Sequence, residues 1–350
     1  MSVTMSHSLQ NYGTGDELAL ALKQYGNYVV EAYYDARVVE PYIWSMPITN
    51  GNSFQFPATA MATSSHIVPG VLRTGANQPE VEERTVTLDA QETGSDRYYS
   101  LTADFITHWP YQQPFAKAHA MACAMYVEDK LLRMIAIGAR LAARGTGVDA
   151  FPAGSNVNSD TTTSTTVIAT NYPVSLTGSL ALQGDLDKLA YTFDTKNVPR
   201  ENRVAFMSWY LYRVLLQDKT LMSADYQDGV NDMLRRDMKF TQGFYIQPTN
   251  RMPAANDESN TAYPAAYRVN TSADATGGTS GGLHGSTSNY TTCVLAIAGR
   301  DAVGQVTALG GVRPVGPEWY TNLNAWFLGA KVWDGAKWLR PEACGEIVLS

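Results

Sequence analysis

Residues 114–144 read PFAKAHAMACAMYVEDKLLRMIAIGARLAAR, and the spacing of apolar positions in this stretch decides the fold. Phe115, Ala118, Ala122, Met125 and Leu132 make one stripe at helical spacing, and Val127, Leu131, Met134 and Leu141 make a second. Pro114 sits in the first turn, where its missing N–H is not needed, and Gly145 supplies a stop. At 1.5 Å per residue, about 30 residues form a rod of roughly 45 Å. Two apolar stripes predict protein on both sides of the rod, so this helix is a spine. Glu128, Asp129, Lys130, Arg133 and Arg140 mark the sides expected to stay exposed.

Ahead of the spine the period changes. Phe54 and Phe56 alternate with Ser53 and Gln55, and Val86 and Leu88 alternate with Thr85, Thr87 and Asp89, the period-two pattern of half-buried strands. The residues between are polar and broken by Pro57, Pro69, Gly70, Gly75 and Pro79. This predicts a long two-stranded excursion with a loose tip. Such a ribbon is marginal alone in water, so it should rest on other protein, including another copy of the chain. Further upstream, Asp16 caps a helix carrying Leu18, Leu22, Tyr25 and Val29, with Gly26 as a bending point and Pro41 as the end. The first fourteen residues are polar, lack periodicity and read as a mobile arm.

Beyond the spine, residues 151–170 are rich in Ser and Thr and predict a loop leading into a strand near Val167 and Ile168. A helix follows from about Ser179 or Leu180 to Asn197, ended by Pro199. Residues 203–207 read as a strand, 209–217 as a short helix and 243–247 as a strand. Residues 252–290, almost all Ala, Asn, Ser, Thr and Gly, read as an insertion or exposed tip. Residues 293–298 form an apolar strand and 318–328 an aromatic-rich segment. In 332–338 Asp334-Gly335 predicts a type I′ hairpin turn. The fold class is α+β, without an internal repeat.

Composition narrows the function. The chain has 350 residues, 45% apolar and 17% charged, which suits a packed globular protein. Its net charge of −7 argues against a protein whose main affinity is for phosphate backbones. Cys123, Cys293 and Cys344 are far apart and match no zinc spacing. No segment approaches the ~18 continuous apolar residues of a membrane helix, and residues 1–15 lack the pattern of a secretory signal. The expectation is a soluble, cytosolic product.

The motifs that carry chemistry are weak. Gly278-Thr279-Ser280-Gly281-Gly282 satisfies G-x-S-x-G with His284 and Asp274 nearby, the pattern of a serine hydrolase. It lacks the strand before and helix after that would strain and present the serine, so it reads as an accident of Gly/Ser composition. His119 and Cys123 lie four apart on the spine, on one face, yet two ligands do not make a zinc site, and core packing explains them better. Adjacent Glu82 and Glu83 point to opposite faces of a strand and cannot share a substrate. His66 and His108 have no partner in sequence. No Walker lysine and no dinucleotide glycine pattern is present. No catalytic residue, cofactor or metal is expected. An arm, a protruding ribbon, a long spine and a flexible tip instead suit interlocking copies.

The order of these parts resembles the major capsid proteins of tailed bacteriophages, those of short-tailed podoviruses above all. Four stretches carry the resemblance: residues 15–20 (GDELAL), Phe54-Gln55-Phe56-Pro57 with Val68-Pro69-Gly70, Asn197-Val198-Pro199 with Arg203, and Leu339-Arg340-Pro341-Glu342-Ala343 ahead of Ile347-Val348-Leu349. The resemblance implies an N-terminal arm and helix (1–49), an extended loop (50–92) and a peripheral domain (93–177, with spine 114–144). It further implies an axial domain (178–310, with 252–290 a flexible insertion) and a return to the peripheral domain (311–350). It implies hexamers and pentamers forming an icosahedral shell around double-stranded DNA, assembled in the host cytoplasm and found in the virion. A separate scaffolding protein is implied, because no room is left for a cleaved scaffold ahead of the arm, along with a portal protein; the presence of a decoration protein is left open. An encapsulin-like nanocompartment shell of the same fold is the alternative. Subunit contacts are expected at Phe54, Phe56, Arg73, Glu82, Glu83, Arg84, Arg133 and Arg140, with the two phenylalanines lying across a neighbour's spine. The extended loop has no lysine to match the covalent Lys–Asn cross-link of some relatives, so no such bond is expected. The acidic balance suits an inner wall that must not trap DNA.

Overall fold

The computed structural model describes residues 17–59, 64, 66, 68–70, 72, 81–100, 112–141, 143, 152–159, 167–219, 238–253, 261–269, 291–308 and 311–349. Its elements in chain order are α1 (Glu17–Asp35), β1 (Trp44–Ile48), β2 (Ser53–Thr59), β3 (Val81–Thr87), β4 (Thr93–Ser100), α2 (Gln112–Ala139), β5 (Ser155–Asn158), α3 (Ile168–Asn171), α4 (Leu176–Thr195), β6 (Arg203–Met207), α5 (Trp209–Leu215), β7 (Phe240–Thr241), β8 (Phe244–Pro248), β9 (Thr291–Ala298), β10 (Val303–Ala308), β11 (Arg313–Tyr320), β12 (Ala325–Val332), β13 (Asp334–Trp338) and β14 (Cys344–Leu349). The chain is α+β, as its periodicities predict.

The strands form four sheets among the described residues. The largest runs β5-β14-β9-β6-β8-β7, two others run β1-β10-β13 and β11-β12-β4, and β2 pairs only with β3. Parallel joins (β1 with β10, β5 with β14, β6 with β8) bring together segments distant in sequence. The spine α2 packs against α1 and against strands of three sheets, namely β4 and β12, β13, and β9 and β14. One core cluster runs from Tyr25 through the spine to Leu349, and a smaller one gathers Ile48, Phe56, Val86, Leu88, Val306, Ala308 and Leu339.

Local chemistry sets the helix boundaries. Ser175 caps α4 by accepting the Gly178 N–H at 3.3 Å, and Ser208 caps α5 by accepting that of Leu211 at 3.4 Å. Asn197 adopts a left-handed φ of 56° past the end of α4, and Pro199 prevents any restart. α1 runs unbroken through Gly26, which serves close packing instead of a bend: a Cβ there would lie 3.3 Å from Pro314.

Several expectations are corrected. The spine starts at Gln112 and ends at Ala139, short of Arg144. The Arg140 and Leu141 N–H groups tighten the last turn onto the carbonyls of Ile137 and Gly138, and the returning chain crosses so closely that a Cβ on Gly154 would lie 2.3 Å from those of Gly138 and Ala139. Residues 168–171 form helix, not strand, and the neighbouring strand is Ser155–Asn158, held in parallel register by β14. Asp334-Gly335 makes no hairpin. It lies inside β13, which pairs with β10, while β12 pairs with β11 and β4. Gly335 is there because Thr87 approaches it, its carbonyl oxygen 2.0 Å from where a Cβ would be. Within 252–290, the segment 261–269 is structured and buries Tyr267 and Val269, so it is not an exposed tip. Residues 254–260 and 270–290, together with the first sixteen, lie outside the described residues.

Candidate assembly interface

The ribbon is the first candidate surface. β2 and β3 pair with Phe54 opposite Val86 and Phe56 opposite Arg84. The strand pleat turns Phe56, Ala58, Arg84 and Val86 inward, and Gln55, Pro57, Glu83 and Thr87 outward. The inward face is already covered by the chain itself. Phe56 is 1% exposed, stands edge-on to Trp44 at 5.0 Å and to Phe54 at 4.9 Å, and packs with Ile48, Val306 and Leu339. The expectation that this phenylalanine face meets a neighbour is therefore corrected for Phe56, and Phe54 is half-buried beside it. Arg84 is buried, with its guanidinium 4.5 Å over the Trp338 ring and its Nη2 2.6 Å from a Glu82 carboxylate oxygen. Glu82 and Glu83 do face opposite ways, and Glu83 is exposed. Arg73 lies outside the described residues. What the ribbon offers outward lies toward its far end, at Val68 (61% exposed), Leu72 (90%) and Val81 (66%).

The spine corrects a larger expectation. From Val127 through the helix end to Leu141 the chain is buried on almost every side, and of the charges read as exposed only Asp129 keeps partial access to water. Each finds partners far away in sequence. Arg140 grips Glu346 of β14 through Nε (2.7 Å) and Nη2 (2.6 Å), while Thr292 of β9 donates to the same carboxylate at 2.8 Å. Arg133 lies with its guanidinium 4.0 Å over the ring of Tyr263, whose hydroxyl donates to Asp129 at 2.8 Å. Arg133 and Arg140 thus serve the interior of the subunit. Lys130, fully buried, meets Asp334 of β13 and, at 3.0 Å, Asp89. Glu128 accepts the N–H groups of Val38 (3.0 Å), Val39 (2.8 Å) and Glu40 (3.4 Å), tying the turn after α1 to the spine. Burial outweighs these three bonds and pushes the Glu128 carboxyl up to about 7.

The first half of the spine differs. Lys117, Ala118, Met121 and Ala122 are exposed, and with Glu31, Ala32 and Asp35 of α1 and Ala36 just past it, Lys117 and Met121 line a shallow cleft of about 230 Å³. A second apolar surface surrounds α4, where Val174, Leu176, Leu180 and Tyr191 are each more than half exposed. His119 and Cys123 do share one buried face. Ser95 Oγ lies 2.8 Å from His119 Nδ1, and the Cys123 thiol donates to the Ala330 carbonyl at 3.3 Å. Burial pushes that thiol up to about 11, the environment of a packed thiol and not of a nucleophile. Ser280, His284 and Asp274 lie outside the described residues. Among the described residues no His, Cys, Asp and Glu cluster could hold a metal ion, and no helix is long and apolar enough to cross a membrane.

Sequence reading missed the distant partners Asp89, Tyr263, Asp334 and Glu346. One of them left a signal: Glu346 stands alone in the apolar strand Cys344–Leu349, and a single carboxylate in such a run needs a buried cation.

No family profile matches the chain. It is 26% identical over 249 residues to the major capsid protein of Enterobacteria phage T3, covering 67% of this chain and 68% of that protein. Its fold matches the capsid structure of the cyanophage P-SCSP1u with a TM-score of 0.67 at 20% identity, over 87% of this chain and 85% of the other. It matches the mature capsid of bacteriophage PhiM1 with a TM-score of 0.58 at 15% identity, over 89% and 86%.

Proposed function

We infer that this chain is a shell protein of a tailed-phage capsid, with the phage capsid fold as its scaffold and other copies of itself as its partners. The observation that carries this is the match of almost the whole chain to a phage capsid subunit, supported by the sequence likeness to a phage major capsid protein. The protein is accordingly a virion component whose role is structural.

The finer reading follows from where exposed apolar groups lie. The far end of the ribbon (Val68, Leu72, Val81), the cleft between α1 and the first half of α2, and the apolar surface around α4 are three separated patches. Separated unlike patches suit head-to-tail contacts, which close into rings of five or six. In this assignment residues 93–177 and 311–350 form the peripheral domain, 178–310 the axial domain around each hexamer or pentamer, and the ribbon reaches across to the neighbouring copy with its far end, not with Phe56. Glu83 faces the neighbour, while Glu82 and Arg84 brace the ribbon on its own subunit. A separate scaffolding protein guides assembly in the host cytoplasm, a portal protein occupies one vertex, and packaged DNA lies near the inner wall without specific contacts. Each contact need only be weak, because many of them close one shell.

Replacing residues 60–80 by a two-residue Asn-Gly turn tests this. Thr59 and Val81 are directly paired, so a type I′ turn closes the ribbon there and spares Ala58 and the strand pairs that cover the smaller core cluster. The expected product is folded and soluble but forms no shells in negative-stain microscopy. Shells at normal yield would overturn the ribbon's role.

A further inference from the structure

We propose that Lys130 and Asp334 condense into an intramolecular amide bond, with Asp89 as the carboxylate that moves the proton, so that the spine is covalently joined to β13. The site holds the three parts such a reaction needs. The amine is Lys130 Nζ, with no exposure to solvent, in contact with Asp334 and 3.0 Å from Asp89. The electrophile is the Asp334 carboxyl, 1% exposed. The third part is a second carboxylate held rigidly on the same amine. The Asp89 N–H donates to the Asp334 carbonyl at 3.1 Å, its own carbonyl accepts the Trp333 indole N–H at 2.7 Å, and its Oδ1 accepts the Tyr267 hydroxyl at 2.8 Å. That hydroxyl is itself fixed by the Ala336 N–H at 2.9 Å.

An ordinary ion pair leaves this arrangement unexplained. Two carboxylates face one ammonium in a dry site, where one acid more than the cation can neutralise is costly. Burial raises the Asp334 carboxyl against the pull of Lys130, while Asp334 and Asp89 together raise the Lys130 ammonium, so the proton transfer that gives amine and acid is an uphill first step. The rings of Tyr126 and Tyr267, each with its centroid 5.4 Å from Nζ, wall the amine from water.

The step balances without any other reactant. A proton passes from the Lys130 ammonium to the Asp334 carboxylate, giving amine and acid. The Nζ lone pair attacks Cγ, Asp89 takes a proton from Nζ and delivers it to the departing hydroxyl, and one water leaves as the Cγ–O bond breaks. Asp89 ends as it began. Fixed neighbours react with effective molarities on the order of 10⁵–10⁸ M, which offsets the reluctance of amines and acids to condense in dilute water. The Asp89 side chain, 15% exposed, marks the way out for the water. The product carries neither buried charge and links residues 204 apart in sequence.

The test is peptide mapping of the purified wild-type chain under denaturing conditions. The expected result is one linked pair, the Lys130 peptide joined to the Asp334 peptide and lighter than their sum by one water. Asp89→Asn should lose the link while keeping the wild-type circular dichroism spectrum, and Asp334→Asn should still link, releasing ammonia in place of water. Folded wild-type protein that yields only separate peptides after prolonged incubation would overturn the bond. Linking of Asp89→Asn at the wild-type rate would overturn the role of Asp89.

Discussion

In the ribbon, Glu82, Glu83 and Arg84 follow the strand pleat, so that Arg84 turns inward onto Trp338 and Glu83 turns out to solvent. In the second half of the spine and just past its end, Glu128, Lys130, Arg133 and Arg140 point in different directions and yet all are buried, because distant parts of the chain bring them partners. The ribbon's charges obey local geometry, and those of the spine obey the tertiary fold. A charge on a helix therefore indicates solvent only when no distant segment can supply its counterpart.

The sharpest way to break this contrast is Arg140→Met. It leaves Glu346 buried with its principal partner gone, and loss of one member of a buried pair costs roughly 3–5 kcal/mol, readable as a lowered denaturant midpoint. A loss under about 1 kcal/mol would place Arg140 with ordinary surface charges.

Glu128 gives a pH-dependent effect of intermediate size. Its carboxyl is raised from 4.5 to about 7, so between these pH values the folded chain holds a proton that the unfolded chain has released. Stability from this group is complete below 4.5 and is lost as pH rises through about 7. Comparing urea midpoints at pH 5 and 7.5, wild type should lose on the order of 2 kcal/mol more than Glu128→Gln over that interval. An identical pH response in the two proteins would contradict the burial of that charge.

The smallest effect belongs to the ribbon. Glu83→Ala should leave subunit stability within about 0.5 kcal/mol of wild type, as expected for an exposed position, and alter only the yield or salt dependence of assembly. A large loss of stability would show that the ribbon's outer face is structural.

The legible part of the fold was the part governed by period and punctuation. Arg203–Met207, the in–out alternation of Phe54 and Phe56, and the end of α4 just before Asn197 are all set by neighbours within a few residues. Asp334-Gly335 misled because the same dipeptide serves a tight turn or a buried acid beside a glycine that Thr87 crowds, and nothing local distinguishes the two. Tyr267 was hidden in a stretch of small polar residues, where one aromatic decides burial but does not shift the composition. The candidate surfaces were legible in part: the ribbon was found, whereas its two phenylalanines proved to be its own anchor.

By itself, the order of residues determined the long helix, the paired strands before it, the α+β class and the likeness to a capsid subunit, because backbone period, caps and proline act within one or two turns of chain. Only the tertiary structure decided where the spine's charges go, where it stops and which face of the ribbon is free. Those outcomes depend on which distant carboxylate, ring or glycine arrives alongside, and a buried ion is tolerated only where that arrival is assured.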